Sequence, residues 1–83
     1  MTSQELQLFL ISKREELQLT QQDVAEQTGY IITRQYYGMI ENGERRPSVE
    51  VAKAIAKVLK IKWTIFFEIN SNQKLREKSR EVS

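Results

Sequence analysis

Apolar residues in this sequence recur three and four positions apart, and no stretch alternates apolar and polar residues long enough to make a confident strand. That period points to helices, and the punctuation says how many. Thr2 followed by Glu5, and Thr20 followed by Asp23, have the spacing of capping boxes, in which hydroxyl and carboxylate each accept an amide at a helix start. Thr33 and Ser48 supply hydroxyls for two further starts, Ser48 directly after Pro47, the only proline. Gly29 and Gly43 stand where a helix end calls for a left-handed residue. The inward stripes read Leu6, Phe9, Leu10 and Leu17 in the first helix, then Val24 and Ala25 in the second. Tyr37 and Ile40 follow in the third, and Val49, Ala52, Ile55, Ala56 and Leu59 in the fourth. A short fifth helix, roughly 62–68, brings Trp63, Phe66 and Phe67. The expected fold is all-α, a compact bundle of five short helices over residues 1–69. Residues 70–83 are polar and carry no stripe, and are expected to be a frayed or disordered tail.

What the chain lacks narrows its chemistry. With 83 residues it has room for one domain and little interior for a pocket. It contains neither cysteine nor histidine, which removes disulfides, the usual zinc sites, a thiol nucleophile and the commonest general base. No paired-carboxylate constellation stands out, so no enzyme, metal or cofactor is expected. The longest apolar run, Leu8 to Ile11, is far too short to cross a bilayer, and no signal-peptide pattern opens the chain; a cytoplasmic protein without a membrane partner is expected. Charge is unevenly spread. Residues 1–28 carry two cations against five carboxylates, a balance of −3, whereas residues 29–68 carry seven against four, a balance of +3. A basic second half on a nearly neutral chain suits a polyanion, although such runs are commonly plain solvated surface.

Specific residues go further. The run Arg14-Glu-Glu-Leu-Gln-Leu-Thr20-Gln21-Gln22-Asp23-Val24-Ala25, then Gly29, then Ile40-Glu41-Asn42-Gly43-Glu44-Arg45-Arg46-Pro47-Ser48, resembles the Cro and phage-repressor (XRE) helix-turn-helix family. The resemblance spans about Leu6 to Glu68. It implies a lambda-repressor-like DNA-binding domain in which helices 2 and 3 form the helix-turn-helix and helix 3 lies in the major groove, where each base pair presents a distinct set of donors and acceptors. It also implies a transcriptional regulator, a repressor of a phage or mobile-element type of switch. One departure stands out: from Gly29 to the Ile-Glu-Asn-Gly run the chain has about two residues more than the family's usual spacing. The segment Gly29-Tyr30-Ile31-Ile32-Thr33 holds the insertion, with Ile32 placed in the buried turn position and Tyr30 as the alternative.

Under that resemblance Thr33, Arg34, Gln35, Gly38 and Met39 are the base-reading positions. Arg pairs bidentately with guanine and Gln with adenine, Met39 offers only apolar contact, and Gly38 allows close approach of the helix. Gln21, Gln22, Tyr36, Asn42, Arg45 and Arg46 are candidate phosphate contacts. Arg14 and Glu41 are assigned to structure, an ion pair tying the first helix to the third. Ile65 aligns with a normally polar, exposed position of the family. With Val58, Trp63 and Ile69 it forms a candidate dimer interface, which would set a homodimer on a palindromic operator of double-stranded DNA. A reading from another class is an antitoxin-like or antirepressor-like module that binds a protein partner and autoregulates through DNA.

Overall fold

Four hydroxyl side chains decide where the helices begin. The computed structural model describes residues 1–68, among which the chain forms α1 (Ser3–Glu16), α2 (Gln21–Gln27), α3 (Arg34–Glu41), α4 (Val49–Leu59) and a closing 3-10 helix (Trp63–Phe67). The hydroxyls of Thr2, Thr20, Thr33 and Ser48 accept the backbone N–H of Glu5, Asp23, Tyr36 and Val51. At the first two starts the Glu5 and Asp23 carboxylates accept the cap amide in return. Each such cap stabilises its helix by about 1 kcal/mol. The hydrogen bonds from Thr20 also hold the Asp23 carboxyl below its usual pKa.

Helix ends are equally explicit. α3 closes in a Schellman turn, with the Glu44 N–H donating to the Met39 carbonyl at 2.8 Å around Gly43 at φ 81°. α1 and α4 close the same way, Leu19 N–H to Arg14 carbonyl and Ile61 N–H to Ala56 carbonyl, but their left-handed positions are held by Gln18 and Lys60.

The core gathers Leu6 and Leu10 from α1, Val24 and Ala25 from α2, Tyr37 and Ile40 from α3, Ala52, Ile55 and Leu59 from α4, and Phe66 from the closing helix. Burying a large apolar side chain is worth about 1.5–3 kcal/mol, and Tyr37 and Phe66 are the largest fully enclosed ones here. Phe9 and Leu17 lie half-buried against this core. Ile32, in the turn between α2 and α3, is buried, and Tyr30 is not.

Two expectations need correction. Val49 is 49% exposed, because at the first helical position its side chain leans back past the helix start instead of onto the neighbouring helices. The fifth element is a 3-10 helix of five residues, a short form suited to a run of β-branched and aromatic residues too brief for a stable α-helix. No helix among the described residues is long and apolar enough to cross a membrane. Ile69 and the tail at 70–83 lie outside the described residues.

Candidate nucleic-acid interface

α3 has two faces with opposite fates. Tyr37, Ile40 and Glu41 point inward and are buried, whereas Arg34 and Gln35 are exposed and Tyr36, Gly38 and Met39 are half-exposed along the outer side. The helix is eight residues long, about 12 Å at 1.5 Å per residue, enough to cross one groove. Its inner face carries a carboxylate that would be prohibitive to bury alone. Glu41 is 2% exposed and fully partnered. Arg14 donates through Nε to Oε2 at 2.9 Å and through Nη2 to Oε1 at 3.3 Å. Gln21 Nε2 donates to Oε1 at 2.8 Å, and the Tyr37 hydroxyl donates to Oε2 at 2.9 Å. Arg14 also donates to the Leu19 carbonyl through Nη1 at 3.1 Å, at the turn that closes α1. The hydrogen bond to Glu41 raises the Arg14 pKa further above its ordinary value. Burial, and then the Glu41 charge, push the Tyr37 phenol well above its own. The network fastens α1, α2 and α3 together behind the outward face.

Two residues from the sequence reading belong partly to this support. Gln21 spends its amide nitrogen on Glu41, and its Oε1 lies beside Gly38, 3.4 Å from where a Cβ would stand. A Cβ at Gly38 would thus stand in van der Waals contact with the Gln21 amide. Nothing in the local sequence announces that role for Gln21, since its partner lies 20 positions away.

The remaining candidates fall into two groups at opposite ends of α3. Gln22, Thr33, Arg34 and Gln35 share an open cleft with Ala25, Tyr30 and Ile32. Thr33 is committed through its cap to the Tyr36 amide at 3.0 Å, and Gln22 donates to Glu26 at 2.7 Å. Past the other end, Asn42 accepts from Gln7 at 2.9 Å, which leaves its amide nitrogen free to donate. Arg45 is exposed, and the Arg46 guanidinium lies 6.0 Å over the Phe67 ring. Among the described residues the side chains of Arg34, Gln35 and Arg45 enter no hydrogen bond or ion pair. Tyr30, which lines the cleft of the first group, and its neighbour Ile31 are both exposed; neither was among the candidate contacts, and their signal was the extra length of the turn.

Val58, Trp63 and Ile65 are half-buried against the core. The Lys53 ammonium sits 5.1 Å over the Trp63 ring, and Trp63 meets Phe67 edge-on at 5.9 Å.

A family model described as helix-turn-helix matches residues 10–66, which takes in both helices of this unit and most of their support. A Bacillus subtilis (strain 168) protein that carries the name uncharacterized HTH-type transcriptional regulator YqaF is 48% identical over 65 residues, covering 78% of this chain and 83% of that protein. No solved structure matches the chain significantly.

Proposed function

The chain belongs to the helix-turn-helix family, a DNA-binding transcriptional regulator, and we propose that it is a sequence-specific repressor that lays α3 in the major groove of double-stranded DNA. The observation that carries this reading is the contrast across α3. Arg34 and Gln35 are exposed and uncommitted at its front, while a buried carboxylate network holds its back. Arg34 has the fork to pair with guanine O6 and N7, and Gln35 the amide to pair with adenine N6 and N7. Met39, half-exposed further along the outer side, adds apolar contact to a thymine methyl, and Thr33 and Gly38 border the same surface. Gln22, Tyr36, Asn42, Arg45 and Arg46 fix the register on phosphates, with Gln21 acting mainly through Glu41.

Two copies bind together. Val58, Trp63 and Ile65 keep part of their surface open, next to the 36%-exposed Phe67, and pairing through them would set two recognition helices on half-sites about 34–36 Å apart on a palindrome. The biological setting most in keeping with the Cro-like motif is a phage or mobile-element switch in the cytoplasm. Selection of bound sites from a random duplex pool tests the proposal. We expect a palindromic consensus whose half-site contains a guanine and an adenine that lose their preference in Arg34→Ala and Gln35→Ala. A pool that never enriches any sequence overturns it.

A further inference from the structure

Resting on the reading that α3 enters the major groove, we propose that the extended turn before it, at Tyr30 and Ile31, is a second DNA-contacting element that grips the sugar-phosphate backbone beside that groove. Three observations meet at this turn. The first is conformational. Gly29 at φ 82° is followed directly by Tyr30 at φ 63°, so two successive residues are left-handed. Glycine adopts that region freely, whereas a residue with a Cβ does so at a cost, which at Gln18 and Lys60 is offset by the hydrogen bonds that close α1 and α4. The second is exposure. Tyr30 is 73% and Ile31 51% exposed, while Ile32 alone turns into the core at 7%. The fold thus gains almost no burial from Tyr30 and Ile31, and glycine or asparagine at position 30 would suit the backbone better. Strained residues that packing does not require concentrate where a ligand is met.

The third is location. Tyr30 lines an open cleft of about 490 Å³ together with Gln22, Thr33, Arg34 and Gln35. These residues come from the first turn of α2 and the start of α3, so the tyrosine stands beside Arg34 and Gln35, where the DNA backbone flanks the bases they would meet. The occupant argued for is the phosphodiester backbone. Arg34 brings positive charge to the cleft, the phenol hydroxyl can donate to a phosphate oxygen, and the ring and the Ile31 side chain can pack on deoxyribose. A backbone contact of this kind adds affinity on any sequence while fixing the angle at which α3 enters.

The fold and the proposed contact make opposite demands on position 30, and that conflict supplies the test. Parent, Tyr30→Gly and Tyr30→Phe are each melted and titrated with the duplex selected from the random pool and with an unrelated duplex. Tyr30→Gly is expected to melt higher, by roughly 2–6 °C, because strain is relieved. It is also expected to bind both duplexes roughly tenfold more weakly, the worth of one hydrogen bond to a charged group together with its packing. Tyr30→Phe is expected to melt like the parent and to lose about half of that affinity on a logarithmic scale. Tyr30→Gly binding as tightly as the parent overturns the proposal and leaves the α3 reading intact. A variant that loses affinity and melts lower also overturns it, since the tyrosine then serves the fold. A parent that binds no duplex overturns both readings together.

Discussion

The two ends of α3 are held in opposite ways. At its C-terminal end Glu41 is sealed in by four hydrogen bonds from three side chains on three helices, and Gly43 closes the helix in a Schellman turn. At its N-terminal end the Thr33 hydroxyl caps the first turn and the Ile32 side chain anchors the turn before it, and the chain preceding them is strained and exposed. Such a helix is clamped at one end and offered at the other. Precision in a recognition surface comes from the rigidity of what stands behind it, so the clamp and the open end have to be judged together.

The largest expected effect comes from breaking the clamp. Glu41→Ala leaves Arg14 without its carboxylate and strips Gln21 and Tyr37 of an acceptor, and should cost about 3–5 kcal/mol. That is most of the stability of so small a domain. Urea or thermal denaturation reads it directly, and a variant with the parent's midpoint would show that the clamp is ornamental. The open end should behave the other way. Arg34→Ala or Gln35→Ala is expected to cost about 1–3 kcal/mol of affinity on the selected site and to leave the melting temperature nearly unchanged. If either unfolds the protein, the division between the two ends fails.

The clamp can also be probed with pH. Tyr37 has its pKa raised in the fold by burial and by Glu41, so the folded chain keeps a proton that the unfolded chain releases above about pH 10. Stability is therefore full below that pH and falls as pH rises beyond it. Tyr37→Phe should lose about 1–2 kcal/mol at neutral pH, the worth of a hydrogen bond to a carboxylate. It should also show a flatter alkaline limb in stability measured from pH 9 to 11, and an unchanged limb would place the titration elsewhere. The smallest effect is at the seam between the two ends. A Cβ at Gly38 would stand 3.4 Å from the Gln21 amide, which can swing aside. Gly38→Ala should then gain up to about 1 kcal/mol of helix propensity. Loss of DNA affinity in that more stable variant would show that the glycine serves the groove.

Much of the fold was legible because its signals are local. A hydroxyl three residues before the amide it accepts, as at Thr2, Thr20, Thr33 and Ser48, acts within one turn and can be read from sequence alone. Ile32 was placed in the buried turn position on the family resemblance, with Tyr30 as the alternative, and it is Ile32 that is buried. Val49 misled because apolar spacing says which face a residue shares and not whether a neighbouring helix reaches that far. In the candidate site, the outward placement of Arg34 and Gln35 followed from the core positions Tyr37 and Ile40. Gln21 did not yield to the same logic. Whether a polar side chain at a helix start faces solvent or a buried carboxylate is decided by tertiary packing, here by how closely α2 approaches Gly38.

The Glu41 network also bears on time. The helix caps close over three residues and are available to an isolated helix, but Glu41 takes its donors from 27 and 20 positions away. Those bonds need α1, α2 and α3 docked together, so they are expected to form later on the folding route than the local caps. Interactions formed after the rate-limiting step govern how long a folded molecule survives more than how quickly it arises. Gln21→Ala should accordingly steepen loss of the native state, raising the unfolding rate in a denaturant-jump experiment while refolding keeps its pace. The expected outcome is a regulator that assembles from its own local signals and whose lifetime depends on one carboxylate.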